Sequence, residues 1–584
     1  MGILDPFVEA AAPLMKSISD LFHSYPAIGT LYTTVARWIF VVLAIYILLR
    51  AIRSLHNTEN PSEIWGYLTL PDGRNAPLMH WENVIGRGKG ADVDVDFMTV
   101  SRNHGTLVRD SRGNWKYNDL GSKGGSVLHG NNVFKPTMVM PGDTLTLAGA
   151  DCTFVPASLE EKKKNEALRK RRTKTFKPWS SLIALTLFQV MLIIQLIISR
   201  GDKLPITVPI AFILLGATMW IYSTAVRASG RTAFEMESIA FFLSTLGLAV
   251  TATSAPEEIM KQFLTVLMGI GLFILLCWYL RDLNRAMKTR RILVVLSVLL
   301  LLVNVVFGTT KYGAANWVRI GGFSIQPSEL VKIAFIFVGA ATLDELFEKK
   351  NLGLFMFFSI YCLGCLALMG DFGTAAIYFV TFLVISFMRS GEFSKLILIV
   401  GAAGLGGLMV LRFKPYILGR FSTWLHAWEY ADAGGYQQTR TMSAGASGGL
   451  LGVGAGDGWL HNVAAADTDL VFGILSEEWG LIIGLLAVAS IVTLGIFAVR
   501  SIQAGRSSFY TIGACAATTL LIFQTILNVF GSVDLLPLTG VTFPFVSNGG
   551  TSMIASWGLL AFLKAADTRQ NASIAVKKHD GGGF

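Results

Sequence analysis

The stretch NWVRIGGFSIQPSELVK, Asn316 to Lys332, sets Glu329 and Lys332 at the head of an apolar run. An ionisable group at bilayer depth costs roughly 2.5–3.5 kcal/mol on insertion scales, so such groups mark function when hydrophobic spans carry them. Two more stretches repeat the pattern. ADTDLVF (Ala466 to Phe472) presents Asp467 and Asp469 where another apolar run begins, and PLTGVTFPFVSNGGTS (Pro537 to Ser552) packs proline, glycine and hydroxyls between two runs. Three polar clusters at the edges of spans point to a membrane-embedded site.

Composition agrees. Of 584 residues, 52% are hydrophobic and 15% charged, a balance that excludes an ordinary soluble enzyme and predicts a polytopic helical membrane protein. Apolar runs place about thirteen spans, at 31–50, 179–199, 205–225, 233–251, 260–280, 291–308, 327–346, 354–370, 372–388, 393–412, 470–499, 508–531 and 549–566. The pair meeting at Gly370–Asp371 reads either as a tight hairpin or as a broken helix. The first apolar run has no small-residue cleavage site, so no cleavable signal peptide is expected. Five cysteines make no disulfide framework, and Cys362 and Cys365, inside an apolar run, read as core packing rather than as metal ligands.

The net charge of +10 is densest in EKKKNEALRKRRTKTFK (Glu161 to Lys177). This reads as a positive-inside signal with a second reading as an anionic-lipid contact, and nucleic acid is the poorest partner for it. Inside loops VRASGRT, RDLNRAMKTRR, MRSGEFSK and RSIQAGRSS are net basic, DELFEKKN is mixed, and the outside loop TATSAPEE is acidic. The alternation puts the N-terminus outside and the segment after Arg50 and Arg53 in the cytoplasm. All three polar clusters, with the long loop from Arg412 to Asp469, then fall on the extracytoplasmic side. Soluble nucleotides are inside, and no GxxxxGK[ST] loop occurs, which argues against nucleotide-driven chemistry.

Between Ile64 and Ala157 the character changes to short alternating runs (YLTL, GTLVRD, NWKYNDL, SVLHG, TLTLAG) separated by turn residues, as in a soluble β-sandwich. Gly86-Arg87, then Ser101-Arg102-Asn103-His104, then Ser122 to Gly130 follow one another in an order that resembles the forkhead-associated (FHA) family. The resemblance implies that Arg87 and Ser101 hold the phosphate of a phosphothreonine on a partner protein, a task that suits a guanidinium fork. It also implies that His104 is structural. Gly124 and His129 stand where the family has asparagines, which leaves phosphate-independent docking open beside phosphopeptide binding.

From about residue 300 to 566 the motifs GAANWVRIGGFSIQPSELVK, GDFGTAAI, GRFSTW, GGYQQTRTMSAGASGGLLGVGAG, TDLVFGILSEEWGLIIG and LLPLTGVTFPFVSNGGTS resemble the SEDS family of RodA/FtsW peptidoglycan polymerases. The resemblance implies a bacterial cytoplasmic-membrane glycosyltransferase that polymerises lipid II beside a class B penicillin-binding protein. A divalent cation stays open as a cofactor. Asp469 matches the family's essential aspartate and becomes the candidate general base; by itself, the residue type equally suits a helix N-cap. Asp467 reads as a solvated loop residue. Glu329 and Lys332 share a helix face, as a functional pair or an internal ion pair. Asp371 either pairs with Lys332 or caps the next helix, and Arg319 and Arg420 are candidates for pyrophosphate contact.

The resemblance implies three spans before the QPSE motif, and region 179–308 of this chain alone has five. The expected organisation is an N-terminal region with one span (1–60), the FHA-like sandwich (64–157), a basic linker (158–178), accessory and first SEDS spans (179–308), the glycosyltransferase core (309–570) and a tail (571–584). Rival readings are a lipid II flippase and a non-catalytic scaffold for wall synthesis.

Overall fold

The computed structural model describes residues 5–56, 64–88, 91–109, 113–172, 176–311, 314–320, 323–342, 349–390, 396–404, 407, 415–502, 507–567, 569 and 571–575. Most of DELFEKKN and MRSGEFSK, the middle of RSIQAGRSS and half of the span expected over 393–412 lie outside the described residues.

Helices α1 (Asp5–Ser24) and α2 (Pro26–His56) precede the sandwich, and α3 (Leu159–Arg172) follows it. Then come α4 (Trp179–Arg200), α5 (Thr207–Ala228), α6 (Glu235–Ser254), α7 (Ile259–Leu280) and α8 (Leu283–Phe307). A three-stranded antiparallel sheet spans Thr309–Lys311, Ala314–Ile320 and Phe323–Ile325. After it lie α9 (Pro327–Thr342), α10 (Lys349–Met369), α11 (Phe372–Ser390), α12 (Pro415–Thr423), α13 (Tyr436–Gly448), α14 (Val471–Glu478), α15 (Leu481–Ile502), α16 (Ser508–Ser532) and α17 (Gly550–Ala566).

Eight of the described helices are long and apolar enough to cross a membrane: α2, α4 to α8, α15 and α16. The spans expected at 327–346, 354–370, 372–388 and 549–566 are helices with shorter apolar lengths. Large apolar side chains such as Trp38, Val42, Ile292 and Phe307 stay exposed on these helices, as a lipid-facing surface requires. Helix α6 is the exception. It packs against α2, α4 and α5 on one hand and α7, α14, α15 and α17 on the other, and it is buried along its whole apolar window.

Two hydropathy readings are corrected or resolved by backbone geometry. The single span expected over 470–499 is two helices, α14 and α15, broken at Gly480. That residue has φ +90, and a Cβ there would lie 2.2 Å from the Leu450 carbonyl oxygen, so only glycine lets the 450 segment approach. At the other doubtful junction Gly370 has φ +77 and ends α10, while the Asp371 carboxylate accepts from Thr374 N–H at 3.0 Å and caps α11. The junction is a tight hairpin.

The sandwich pairs a six-stranded sheet with a five-stranded one. Its strands run from Gly66–Thr69 to Ala150–Pro156. Leu68, Ile85, Leu107, Tyr117, Leu145 and Phe154 fill a hydrophobic core separate from that of the membrane helices, which marks it as a unit able to fold alone. The basic linker expected after the sandwich contains helix α3, seated by Tyr67 donating to Glu161 at 2.6 Å.

Candidate active site and its cytoplasmic module

Asp469 lies half-buried just ahead of α14. The N-cap position of that helix is Leu470, one residue beyond it. Three distant segments fix Asp469. Asn528 on α16 donates from one amide nitrogen to the Asp469 carbonyl (3.1 Å) and the Val541 carbonyl (2.7 Å). Gly540, at φ +69, faces the carboxylate, and a Cβ there would sit 3.2 Å from Asp469 Oδ2. The Ser547 hydroxyl donates to the Thr468 carbonyl at 2.6 Å.

Asp467 is not the solvated residue expected. Asn548 donates to its carbonyl from the backbone and to its carboxylate from the side chain, both at 2.8 Å. A carboxylate that accepts a side-chain amide in a half-buried place gains more from that bond than from open water. This pair therefore stitches the SNGG turn to the loop carrying Asp469.

Beneath the loop runs a buried polar chain. Lys332 (1% exposed) bonds Glu329 (4%) at 2.6 Å and Gln524 at 3.1 Å. Gln524 then donates to the Thr542 carbonyl and hydroxyl, both at 2.9 Å, and the Thr542 and Ser552 hydroxyls lie 2.6 Å apart. Buried charges persist only when paired and hydrogen-bonded, and this pair meets both conditions. Asp371 does not reach Lys332. Its second oxygen accepts from Asn316 (2.8 Å) and Gln326 (3.2 Å), so of its two expected roles it takes the cap. Just beyond it, a Cβ on Gly373 would touch Thr539 at 3.0 Å, and this close approach brings the start of α11 against the segment that holds Gly540.

Arg420 is exposed and donates to the Leu538 carbonyl at 3.0 Å, two residues from Gly540. Asp534 anchors the same loop by accepting from Leu425 and Ala427 N–H at 3.1 and 3.0 Å. Arg319 stands exposed on the central hairpin strand in register with Ser324, outside the network just traced. Asn316 Oδ1, Asn528 Oδ1 and Thr539 Oγ1 are buried without a hydrogen-bond partner. Such atoms call for a water or a ligand. No three metal-ligating side chains converge among the described residues.

Gln524, Asn528, Asn548 and Asp534 escaped the sequence reading. The first two had a usable signal: amides four residues apart in an apolar span share one helix face. Asn548 and Asp534 had none, because their partners are remote in sequence.

In the sandwich, Arg87 is exposed and its N–H bonds the Ser101 carbonyl at 3.0 Å, which sets the expected pair side by side. His104 is fully buried, accepting from Ser101 N–H at 3.1 Å and facing the Gly125 carbonyl at 3.1 Å. Burial pushes its imidazole below the usual value, against the opposing pull of Gly125 and Asp119. Gly124 has a steric reason, since a Cβ there would fall 2.3 Å from that of Ala148.

Residues 238–572 match the family described as "Cell cycle protein", FtsW, RodA and SpoVE, and residues 83–148 match the FHA domain. The first match covers more than half of the chain. The chain belongs to the FtsW/RodA/SpoVE family. Relatives include the peptidoglycan glycosyltransferase RodA of Mycobacterium tuberculosis, 29% identical over 52% of this chain and 69% of the relative. A probable peptidoglycan glycosyltransferase FtsW of Tolumonas auensis is 32% identical over 56% of this chain and 90% of the relative. Among solved structures, a chain from a peptidoglycan synthase complex that coordinates polymerization and crosslinking is 25% identical, covering 57% of this chain and 98% of its own, with a TM-score of 0.47. The RodA of Thermus thermophilus is 23% identical over 56% of this chain and 94% of its own, with a TM-score of 0.41. The family match begins inside α6. Helices α1 to α5 and the FHA module thus lie ahead of the matched residues and form the front end of the chain.

Proposed function

We propose that the chain is a peptidoglycan glycosyltransferase that polymerises lipid II at the outer face of the cytoplasmic membrane, regulated through its FHA module. Family membership supports the reaction class, because relatives across the family are named for that activity. The observation that carries the reading is the setting of Asp469. Its carboxylate lies against the bare backbone of Gly540, on a loop braced by Asn528 and the Ser547–Asn548 turn.

In this reading Asp469 takes the proton from the 4-hydroxyl of the acceptor sugar as its oxygen bonds to C1 of the donor. The bond from C1 to the polyprenyl pyrophosphate breaks, and the leaving group keeps the electron pair. Arg420, with Arg319 on the hairpin, supplies positive charge near that departing anion, where charge stabilisation counts most. Glu329, Lys332 and Asp371 brace the floor of the site. Outer-face chemistry is supported by the basic loops that alternate along the chain. A class B penicillin-binding protein is the expected membrane partner, and Arg87 with Ser101 is the expected phosphothreonine contact.

The test is polymerisation of lipid II by purified full-length protein, with and without a class B partner. Long glycan chains are expected. Failure to make them with any partner, alongside transfer of lipid II across vesicle membranes, would make the protein a transporter. Cysteine tags in the 412–469 loop should react with impermeant reagents on intact cells, and tags in the FHA module should not.

A further inference from the structure

The front end does more than precede the family core, because it reaches the loop on which Asp469 depends. Residues 453–460 wrap the last turn of α14. Val453 N–H bonds the Glu477 carbonyl at 2.8 Å, and Gly454 N–H bonds the Glu478 carbonyl at 3.0 Å. The Glu477 carboxylate accepts from Trp459 and Leu460 N–H at 2.9 and 3.0 Å, and the Glu478 carboxylate accepts from Gly456 N–H at 3.1 Å. Loop and helix end are one unit.

Helices α2 and α4 close on this unit from outside the family's residues. Arg37 on α2 donates to the Val453 carbonyl. Gly454 (φ +123) and Gly456 (φ +86) let α4 approach, since a Cβ would fall 3.3 Å from Gln195 Nε2 at the first and 2.3 Å from Ser199 Oγ at the second. Arg37, Gln195, Gly454, Glu478 and Trp479 line one cavity. Gln195 is 1% exposed with neither amide atom partnered, and Arg37 Nε and Glu478 Oε1 are likewise buried and unpartnered. These polar groups from α2, α4 and the end of α14 face one shared cavity, and the Arg37 bond to the Val453 carbonyl joins the front end to the loop.

We infer that Arg37, with Gln195 beside it, is a positioning residue for the glycosyl transfer: the front end holds loop 453–460, hence α14, hence Asp469. Helix α14 is two turns long, about 12 Å at 1.5 Å per residue, and in this proposal it shifts as one unit. A shift at its Glu478 end is therefore delivered to Asp469 at its head. The inference rests on the proposed role of Asp469. It makes α2 part of the active-site scaffold, although α2 lies ahead of the residues that match the family.

The experiment uses full-length protein in nanodiscs with its class B partner and lipid II, comparing Arg37→Ala and Arg37→Lys with the unaltered chain. Two readouts are taken: kcat with KM, and hydrogen exchange of the 453–460 amides. Arg37→Ala should lower kcat by about 10- to 100-fold, as a misplacement near 1 Å does. KM should stay within about threefold, and amides 453–460 should exchange faster while α6 and α17 keep their protection. Arg37→Lys should recover part of both effects. An unchanged kcat, or protection lost evenly across α6 and α17, would overturn the inference, the second by giving Arg37 a purely structural role. Failure of the underlying reading looks different: Asp469→Asn would then retain full activity whatever Arg37 does.

Discussion

Asp469 in the membrane core is held by groups from segments 59 to 79 residues away, Asn528 and Ser547 through their contacts with residues 468 and 469. Arg87 and Ser101 in the FHA module are held by neighbours on adjoining turns of one sandwich, with Lys123 N–H on the Ser101 hydroxyl at 3.1 Å as their longest tie. The first site is assembled by the fold as a whole, and the second sits at the exposed edge of a small unit with its own core. Damage should therefore spread differently. Substitutions far from Asp469 should reach the chemistry, while those in the sandwich should change a binding preference and leave polymerisation by the purified enzyme near its original rate.

The largest effect tests the buried floor. Lys332→Met leaves Glu329 charged and alone, a loss of about 3–5 kcal/mol for breaking one side of a buried pair. Thermal unfolding of the purified protein should show it, and combining it with Glu329→Gln should recover most of the loss. A double variant as unstable as the single one would mean that the pair is not what the floor needs. Next comes Asn528→Ala, which strips the Asp469 and Val541 carbonyls of their donor. It should cut kcat by about 10-fold or more with little change in KM, and an unaltered kcat would remove Asn528 from the account.

Smaller effects belong to the sandwich. Isolated 64–157 should bind a phosphothreonine peptide more tightly than its unphosphorylated form, and Arg87→Ala should erase the difference in calorimetry. Equal affinity for both forms across a peptide panel would leave plain docking. The smallest effect is on pH. The folded state keeps His104 neutral with a lowered pKa, so the unfolded chain binds more protons once the pH drops below about 6.5. The stability His104 contributes is fully present above that value and is lost as pH falls towards the folded pKa. Melting of the sandwich should be lower at pH 5 than at pH 7.5, and His104→Gln should flatten the difference.

How far the sequence could be read follows the same contrast. The sandwich was legible because its motifs are local, and the spans were legible because hydropathy runs along the chain. Hydropathy could not see that Gly480 takes φ +90 and breaks an apolar run, since that conformation answers to the distant Leu450 backbone. The hairpin of residues 309–325 was likewise read only as the edge of a span. Asp467 looked solvated because Asn548, its partner, is 81 residues away. Arg37 had no signal at all, because its worth depends on a carbonyl 416 residues away.

The most direct test of the account compares Asp469→Asn with Asp467→Asn in lipid II polymerisation by the full-length protein with its partner. Asn keeps the shape of the side chain and removes its basicity. Asp469→Asn should lower kcat by about 10²- to 10⁴-fold, the usual worth of a general base, with folding and lipid II binding intact. Asp467→Asn, which keeps an oxygen to accept from Asn548 and loses only the negative charge, should cost less than about 10-fold. Near-normal glycan chains from Asp469→Asn, or the larger loss at Asp467, would contradict the assignment of the base.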